Sequence, residues 1–283
     1  MSGARLGLAA VVVWTLLSAT AAATATRPGT LSITPSVIEA VLPPRSRLVP
    51  ISVRNASPFT FRIRIYPALV RQSLDGSLVI KERRRQLTAA RRLFLVRPRR
   101  LVLRPGVSAV LRQRFRRAPR GRPAAYGATV VEAVLPRTRK QRGPTFRLRL
   151  LGALLVTKPK APRPRGRLVR VRVVQLGPRR LGFCARLSNT GRVHGYPEGL
   201  RLTVRRRGRG VVFSAAPVRG VVLPGFRRDF TVQRFRLLPR GRYIVKASGR
   251  FGGRTIRRSA LFQLVAPNRL PGKTARKAGC VFR

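Results

Sequence analysis

Beyond residue 30, apolar side chains recur at every second position over short runs. In FTFRIRIY (59–66), Phe59, Phe61, Ile63 and Ile65 share one face, while Thr60, Arg62 and Arg64 take the other. A period of two predicts a half-buried strand. The same alternation appears in FRLRL (146–150), LVRVRVV (168–174) and LRLTV (200–204). Turn signals separate the runs: Asp75-Gly76 and Gly252-Gly253 predict hairpins, and Pro105-Gly106, Pro224-Gly225 and Asn189-Thr190-Gly191 predict loops. Only residues 82–92 read as a short helix. Many short strands between regular turns predict an all-β chain of antiparallel sandwiches.

The stretch KPKAPRPRGR (158–167) interrupts the alternation with three prolines. Proline has no backbone donor and is excluded from central strands. This segment therefore divides the chain into a first domain (30–157) and a second (168–266), with a strand expected from Leu168. Residues 267–283 form a basic tail.

The chain opens differently. Arg5 precedes an apolar run from Leu6 to Leu17, and Ala23-Thr24-Ala25 offers a small-residue cleavage site. These features predict a signal peptide over residues 1–25 and export of the remainder. An uncleaved anchor would need about 20 strongly apolar residues. Two cysteines, Cys184 and Cys280, fit an oxidising compartment, and a disulfide between them would tie the tail to the second domain. Two free thiols are the alternative. In LGFCARL, Leu181, Phe183, Ala185 and Leu187 share the core-facing parity and Cys184 the other.

Charge changes the picture most. The 283 residues carry 63 Lys and Arg against 6 Asp and Glu, a formal net of +57. Seven of the cations are lysine and 56 arginine, a bias that a GC-rich genome also produces. Such a chain attracts polyanions: nucleic acid, anionic lipid surfaces or acidic wall polymers. Export would leave it little nucleic acid to meet, and aromatic residues for base stacking are sparse. The polyanion-binding candidates are Lys158, Lys160, Arg163, Arg165 and Arg167 in the linker, and Arg205, Arg206 and Arg207 in the second domain. Further basic clusters occupy 83–85, 97–100, 116–122 and 137–142.

Catalytic material is scarce. The carboxylates are Glu39, Asp75, Glu82, Glu132, Glu198 and Asp229, and His194 is the single histidine. No GxSxG, HExxH, CxxC or GxxxxGK(S/T) motif occurs, so no catalytic site, metal or cofactor is expected. His194, in GRVHGYPEG, reads as a loop residue that packs or caps a turn, or as a partner of Glu198. Asn55 reads as a turn former. The run FRLRLLGALLVT (146–157) could accept an added strand along its edge, with Phe146, Leu148, Leu150, Leu154 and Val156 as the contact residues. An ordinary internal strand is the alternative.

The order of motifs is also familiar. LSITPSVIEAVLPPRSRLVPISVRNAS, FLVRPRRLVLRPGVSAVLRQRF and FRLRLLGALLVTKP resemble the first Ig-like domain of PapD-like pilus chaperones. ARLSNTGRVHGYPEGLRLTV, VVLPGFRRDFTV and LPRGRYIVKASGRFGG are similar to the second domain of secreted tandem Ig-like proteins of the WxL-interacting type. The resemblance implies a non-enzymatic envelope protein that contacts wall polymer or another surface protein, or alternatively an assembly chaperone for pilus-like subunits. A basic nucleic-acid-binding protein is the third reading. Two departures stand out. The first-strand segment LSITPSVIEA and the last-strand segment GALLVT lack the basic pair with which pilus chaperones hold a subunit's carboxylate. The tail NRLPGKTARKAGCVFR is basic but has no preceding membrane helix. The signal-peptide reading predicts a mature N-terminus near Thr26 in the exported fraction of the native cells. An intact Met1 in the cytosolic fraction, seen by mass spectrometry, would refute it.

Overall fold

A computed structural model describes residues 31–117, 121–135, 147–271 and 280–282. Residues 1–25, most of the tail and Phe146 lie outside them, as does the 137–142 cluster. The described chain is all-β, arranged as two sandwiches.

In the first, β1 (Leu31–Thr34) and β2 (Val37–Val41) belong to different sheets. Pro35 stands between them, and without an N–H it cannot continue the ladder. β1 pairs antiparallel with β3 (Arg47–Asn55), whereas β2 pairs parallel with β10 (Arg147–Thr157). The chain then runs through β4 (Phe61–Gln72), β5 (Leu78–Lys81), α1 (Arg84–Leu93), β6 (Phe94–Arg97), β7 (Arg100–Leu103), β8 (Ser108–Phe115) and β9 (Ala124–Val134). One sheet has the order β1-β3-β8-β6 and the other β2-β10-β9-β4-β5, with β7 on β4. Between them lie Ile51, Ile63, Ile65, Phe94, Leu111, Phe115, Val131 and Leu154.

Alternation of burial holds in β4 from Phe61 to Ile65, but Phe59 is 55% exposed rather than in the core. The Phe59 carbonyl accepts the Asn55 amide, so the chain is still turning there. The expected 75–76 hairpin joins β4 to β5. Gly76 takes a positive φ, and Asp75 accepts from the Ser77 N–H and hydroxyl. The helix spans Arg84–Leu93. It lacks a side-chain cap and is held by burial of Ala90 and Leu93.

The second sandwich faces β11 (Gly166–Gly177), β12 (Arg180–Asn189) and β15 (Arg227–Arg234) against β14 (Val211–Ala215), β13 (Glu198–Arg206), β16 (Gly241–Phe251) and β17 (Arg254–Leu264). β11 starts at Gly166, two residues before the expected Leu168. A register shift between Leu168 and Arg170 lets Leu168, Val171 and Val173 all reach the core despite their mixed parity. Leu181, Phe183, Ala185 and Leu187 meet Leu202, Val204, Tyr243 and Val245 there.

Both sandwiches use one buried asparagine device. Asn55 ends β3, donates to the Phe59 and Leu103 carbonyls, and accepts from the Ser57 N–H. Asn189 ends β12, donates to the Val193 and Val222 carbonyls, and accepts from the Gly191 N–H. In each case the glycine of a Pro-Gly turn donates its N–H back to the asparagine carbonyl: Gly106 to Asn55 and Gly225 to Asn189. A side-chain amide can satisfy three main-chain groups at once, which suits the buried end of a strand.

Cys184 lies on the opposite face of β12 from Phe183, yet has no exposed surface. The tail returns to cover it. Cys280 is bonded to Cys184, Phe282 lies over Gly182, and the Val281 N–H reaches the Asp229 carboxylate. Asp229 is itself held by Arg186 in a bidentate pair, 2.6 and 2.9 Å. The disulfide closes a loop over a sequence separation of 96. Reducing it, or replacing Cys280 by serine, should lower unfolding stability by about 2–4 kcal/mol. Urea unfolding with and without reductant measures this, and coincident curves would show that the tail adds no stability.

Candidate functional site

The outer face of the β2-β10-β9-β4-β5 sheet has three zones, set by residues that stand side by side across β4, β9 and β10. Arg64, Glu132 and Arg149 form a charged row. Arg149 bridges Glu82 at 3.0 Å and Glu132 at 3.3 Å. In the next zone Tyr66, Ala68 and Val130 are covered by Leu87 of α1 and Ile80 of β5. Beyond it Val70, Ala128 and Leu155 pack against Val221, Leu223 and Phe226 of the second domain. The outer face thus passes from charged to apolar along the strands, and the apolar end is the domain joint.

Polar groups fix that joint. The Gln72 amide donates to the Val221 carbonyl at 2.9 Å and accepts from the Leu223 N–H at 3.0 Å. The His194 N–H donates to the Tyr126 hydroxyl oxygen at 2.7 Å. His194 Nε2 lies 2.6 Å from Glu39 Oε1, and the Tyr196 hydroxyl donates to Glu39 Oε2 at 2.9 Å. His194 therefore pairs with Glu39 of β2 across the domains, and not with Glu198. The hydrogen bond from His194 holds the Glu39 carboxyl below its ordinary range, against the opposing effect of burial. Burial pushes the Tyr126 and Tyr196 hydroxyls well above theirs. Asn189 anchors the two second-domain loops that carry His194 and Leu223.

At the other end of the same sheet β10 is half paired. Antiparallel pairing with β9 covers its whole length, 147–157, but β2 meets it only over 153–157. Residues 147–152 have no strand on their second side among the described residues. The Ala153 N–H donates to Ser36 and the Thr157 carbonyl accepts from Leu42, both on the β2 side. Main-chain groups alternate sides along a strand. By that alternation Arg147, Arg149 and Leu151 present N–H and C=O to the open edge. Leu148 and Leu150 point toward the sandwich interior, where Leu148 is 40% exposed and Leu150 packs on the core margin.

The expected edge residues therefore divide. Leu148 and Leu150 lie in the open half, whereas Leu154 and Val156 are buried in the paired half, which is an internal strand. The linker is not a free arm. The Arg165 carbonyl accepts from the N–H groups of Thr190 and Gly191, and Pro164 fits against Gly195 and Gly252. Lys160, Arg163, Arg165 and Arg167 are exposed on it and Lys158 is half-buried. Arg205, Arg206 and Arg207 sit at the end of β13 and in the turn after it, where Arg206 donates to the Arg240 carbonyl. None of these eight cations forms an ion pair among the described residues. The joint at Glu39, Tyr126, His194 and Tyr196 was missed from sequence. Its signal was the switch from arginine to apolar residues on the outer positions of β4 and β10.

No protein-family model matches the chain, and no curated protein matches it by sequence. Among solved structures, the Class 5 fimbriae chaperone CfaA is 13% identical, with a TM-score of 0.42 over 86% of this chain and 100% of its own. The CsuC–CsuE chaperone–tip subunit pre-assembly complex of Acinetobacter baumannii is 15% identical, with a TM-score of 0.41 over 82% and 98%. The E. coli chaperone DraB is 16% identical, with a TM-score of 0.39 over 85% and 98%. None of these three is named as a WxL-interacting protein.

Glu39 supplies a pH test. A carboxyl whose folded pKa is depressed adds stability that is complete above its ordinary value of about 4.5 and is lost as pH falls through the lowered folded value. Glu39→Gln should therefore be less stable than the parent at pH 7, and the two should converge as pH falls below 4.5 and through the lowered folded value. Urea midpoints across that range measure the difference. A gap that stays constant down to pH 2 would refute the assignment.

Proposed function

We propose that this chain is an exported, non-enzymatic binding protein that holds an extended segment of a partner protein against the open half of β10. The observation that carries this reading is the half-paired strand. An exposed row of main-chain donors and acceptors is a template for a further strand, and alternate side chains of that strand would find apolar contact at Leu148 and Leu150. Arg147 and Arg149 are tied to Glu132 and Glu82, which holds the edge in place. The Cys184–Cys280 bond fits an oxidising, extracytoplasmic setting. No helix among the described residues is long and apolar enough to cross a membrane.

A pilus-type assembly chaperone would be one instance of this mode. The strand beside β10 here carries Glu39, already committed to His194 and Tyr196, and no basic residue. Recognition in this chain would then rest on main-chain pairing more than on a captured carboxylate. Of the two partner classes expected from the sequence, the open edge favours a protein over a wall polymer.

Arg149→Pro removes one N–H from the open edge and leaves the N–H groups directed at β9 intact, a placement that edge strands tolerate. Arg149→Ala keeps that N–H and loses only the side chain. A photo-crosslinker at Leu148 in the native cells should trap an exported partner in the parent and in Arg149→Ala, and lose it in Arg149→Pro. Equal trapping in all three chains would refute strand addition.

A further inference from the structure

Two cavities on the first sandwich share Leu95 and Arg116 and adjoin one another. The larger, about 820 Å³, is lined by Arg45, Arg92, Arg114, Arg116 and Arg117. The smaller, about 200 Å³, adds Arg64, Arg91, Arg99 and Arg100. Nine arginines thus line two adjoining cavities, and no carboxylate lines either part. None of the nine forms an ion pair among the described residues.

This cluster is braced by its main chain. It forms where the turn before β3, the end of α1 and the end of β8 meet. The Arg45 N–H donates to the Arg116 carbonyl at 3.2 Å, the Arg116 N–H to the Leu93 carbonyl at 2.7 Å, and the Phe115 N–H to the Ser46 carbonyl at 2.9 Å. Two guanidiniums are oriented by carbonyls as well: Arg114 donates to Arg45 at 2.9 Å and Arg116 to Arg91 at 3.4 Å. Scattered surface arginines would be free to separate. Here the backbone holds like charges around one hollow, at a repulsive cost that an anion would relieve.

We propose that this concavity binds a chain of linked phosphate groups, of the inorganic polyphosphate class. Guanidinium forks match phosphate oxygens bidentately. A single phosphate brings about two negative charges, far fewer than the site presents. A linked chain can follow the concavity from one part to the other. Nucleic acid fits less well, because the rings at this place, Tyr66 and Phe94, are buried and offer no stacking face to a base. The site lies apart from the open edge of β10 and does not depend on strand addition.

The test measures binding of long-chain inorganic polyphosphate to the full chain at several salt concentrations. It compares the parent with two variants of equal net charge. One carries Arg92→Gln, Arg99→Gln and Arg117→Gln in the cavities. The other carries Arg242→Gln, Arg254→Gln and Arg257→Gln at exposed positions of β16 and β17 in the second domain. Thermal melts confirm that each is folded. The cavity variant should bind at least about tenfold more weakly, and its logarithmic salt dependence should be shallower by about 2, while the control stays within about threefold of the parent. If the cavity triple fails to fold, Arg92→Gln and Arg117→Gln as single variants carry the same comparison. Equal losses in both variants would show diffuse charge rather than a site. Tighter binding of single-stranded DNA of matched charge would assign the concavity to nucleic acid. Either outcome overturns the proposal.

Discussion

The structure depends on where five of the six carboxylates are placed among 63 cations. A net charge this high opposes compaction, so each negative group is worth most where separate stretches of chain must meet. Glu39 joins the two domains through His194 and Tyr196. Glu82 and Glu132 hold Arg149 at the sheet edge. Asp229 holds Arg186 beneath the returning tail, and Asp75 closes a hairpin. Removing one partner of a buried pair such as Arg186–Asp229 strands the other charge, which costs about 3–5 kcal/mol. Arginines such as Arg62, Arg112, Arg201 and Arg254 instead stand exposed on strands, where water takes up their charge and edge pairing is discouraged.

A single sheet organises the first domain's relations with everything else. Along β4, β9 and β10 the outer face changes from charged to apolar, and that gradient decides what covers it. The apolar end is taken by α1 and by the second domain. At the charged end β10 keeps one edge unpaired, because β2 reaches only as far as residue 153. The domain joint and the proposed partner site are therefore opposite ends of one surface. The arginine concavity starts on the same face at Arg64 and Tyr66 but extends to the turn before β3 and the ends of α1 and β8, and it does not use the main-chain groups of the open β10 edge.

Much of this was legible in the residues. Strand positions, the 75–76 and 252–253 hairpins, and the parity of Leu181, Phe183, Ala185 and Leu187 follow from local alternation and turn chemistry. Errors arose where non-local contacts override a local rule. Phe59 fits the alternation but sits in a turn held by Asn55. β11 begins early because Gly166 and Arg167 find partners in Asn189 and Ser188. Leu168 and Val171 both face inward because a register shift resets the parity between them.

The sequence by itself determined the all-β class and the scarcity of catalytic groups, since periodicity and composition are local properties. It could not determine which half of β10 is open, which acid meets His194, or which arginines share a concavity. Those depend on strand register and on the meeting of segments as far apart as Glu39 and His194. Only the closed tertiary structure brings such groups within hydrogen-bonding distance.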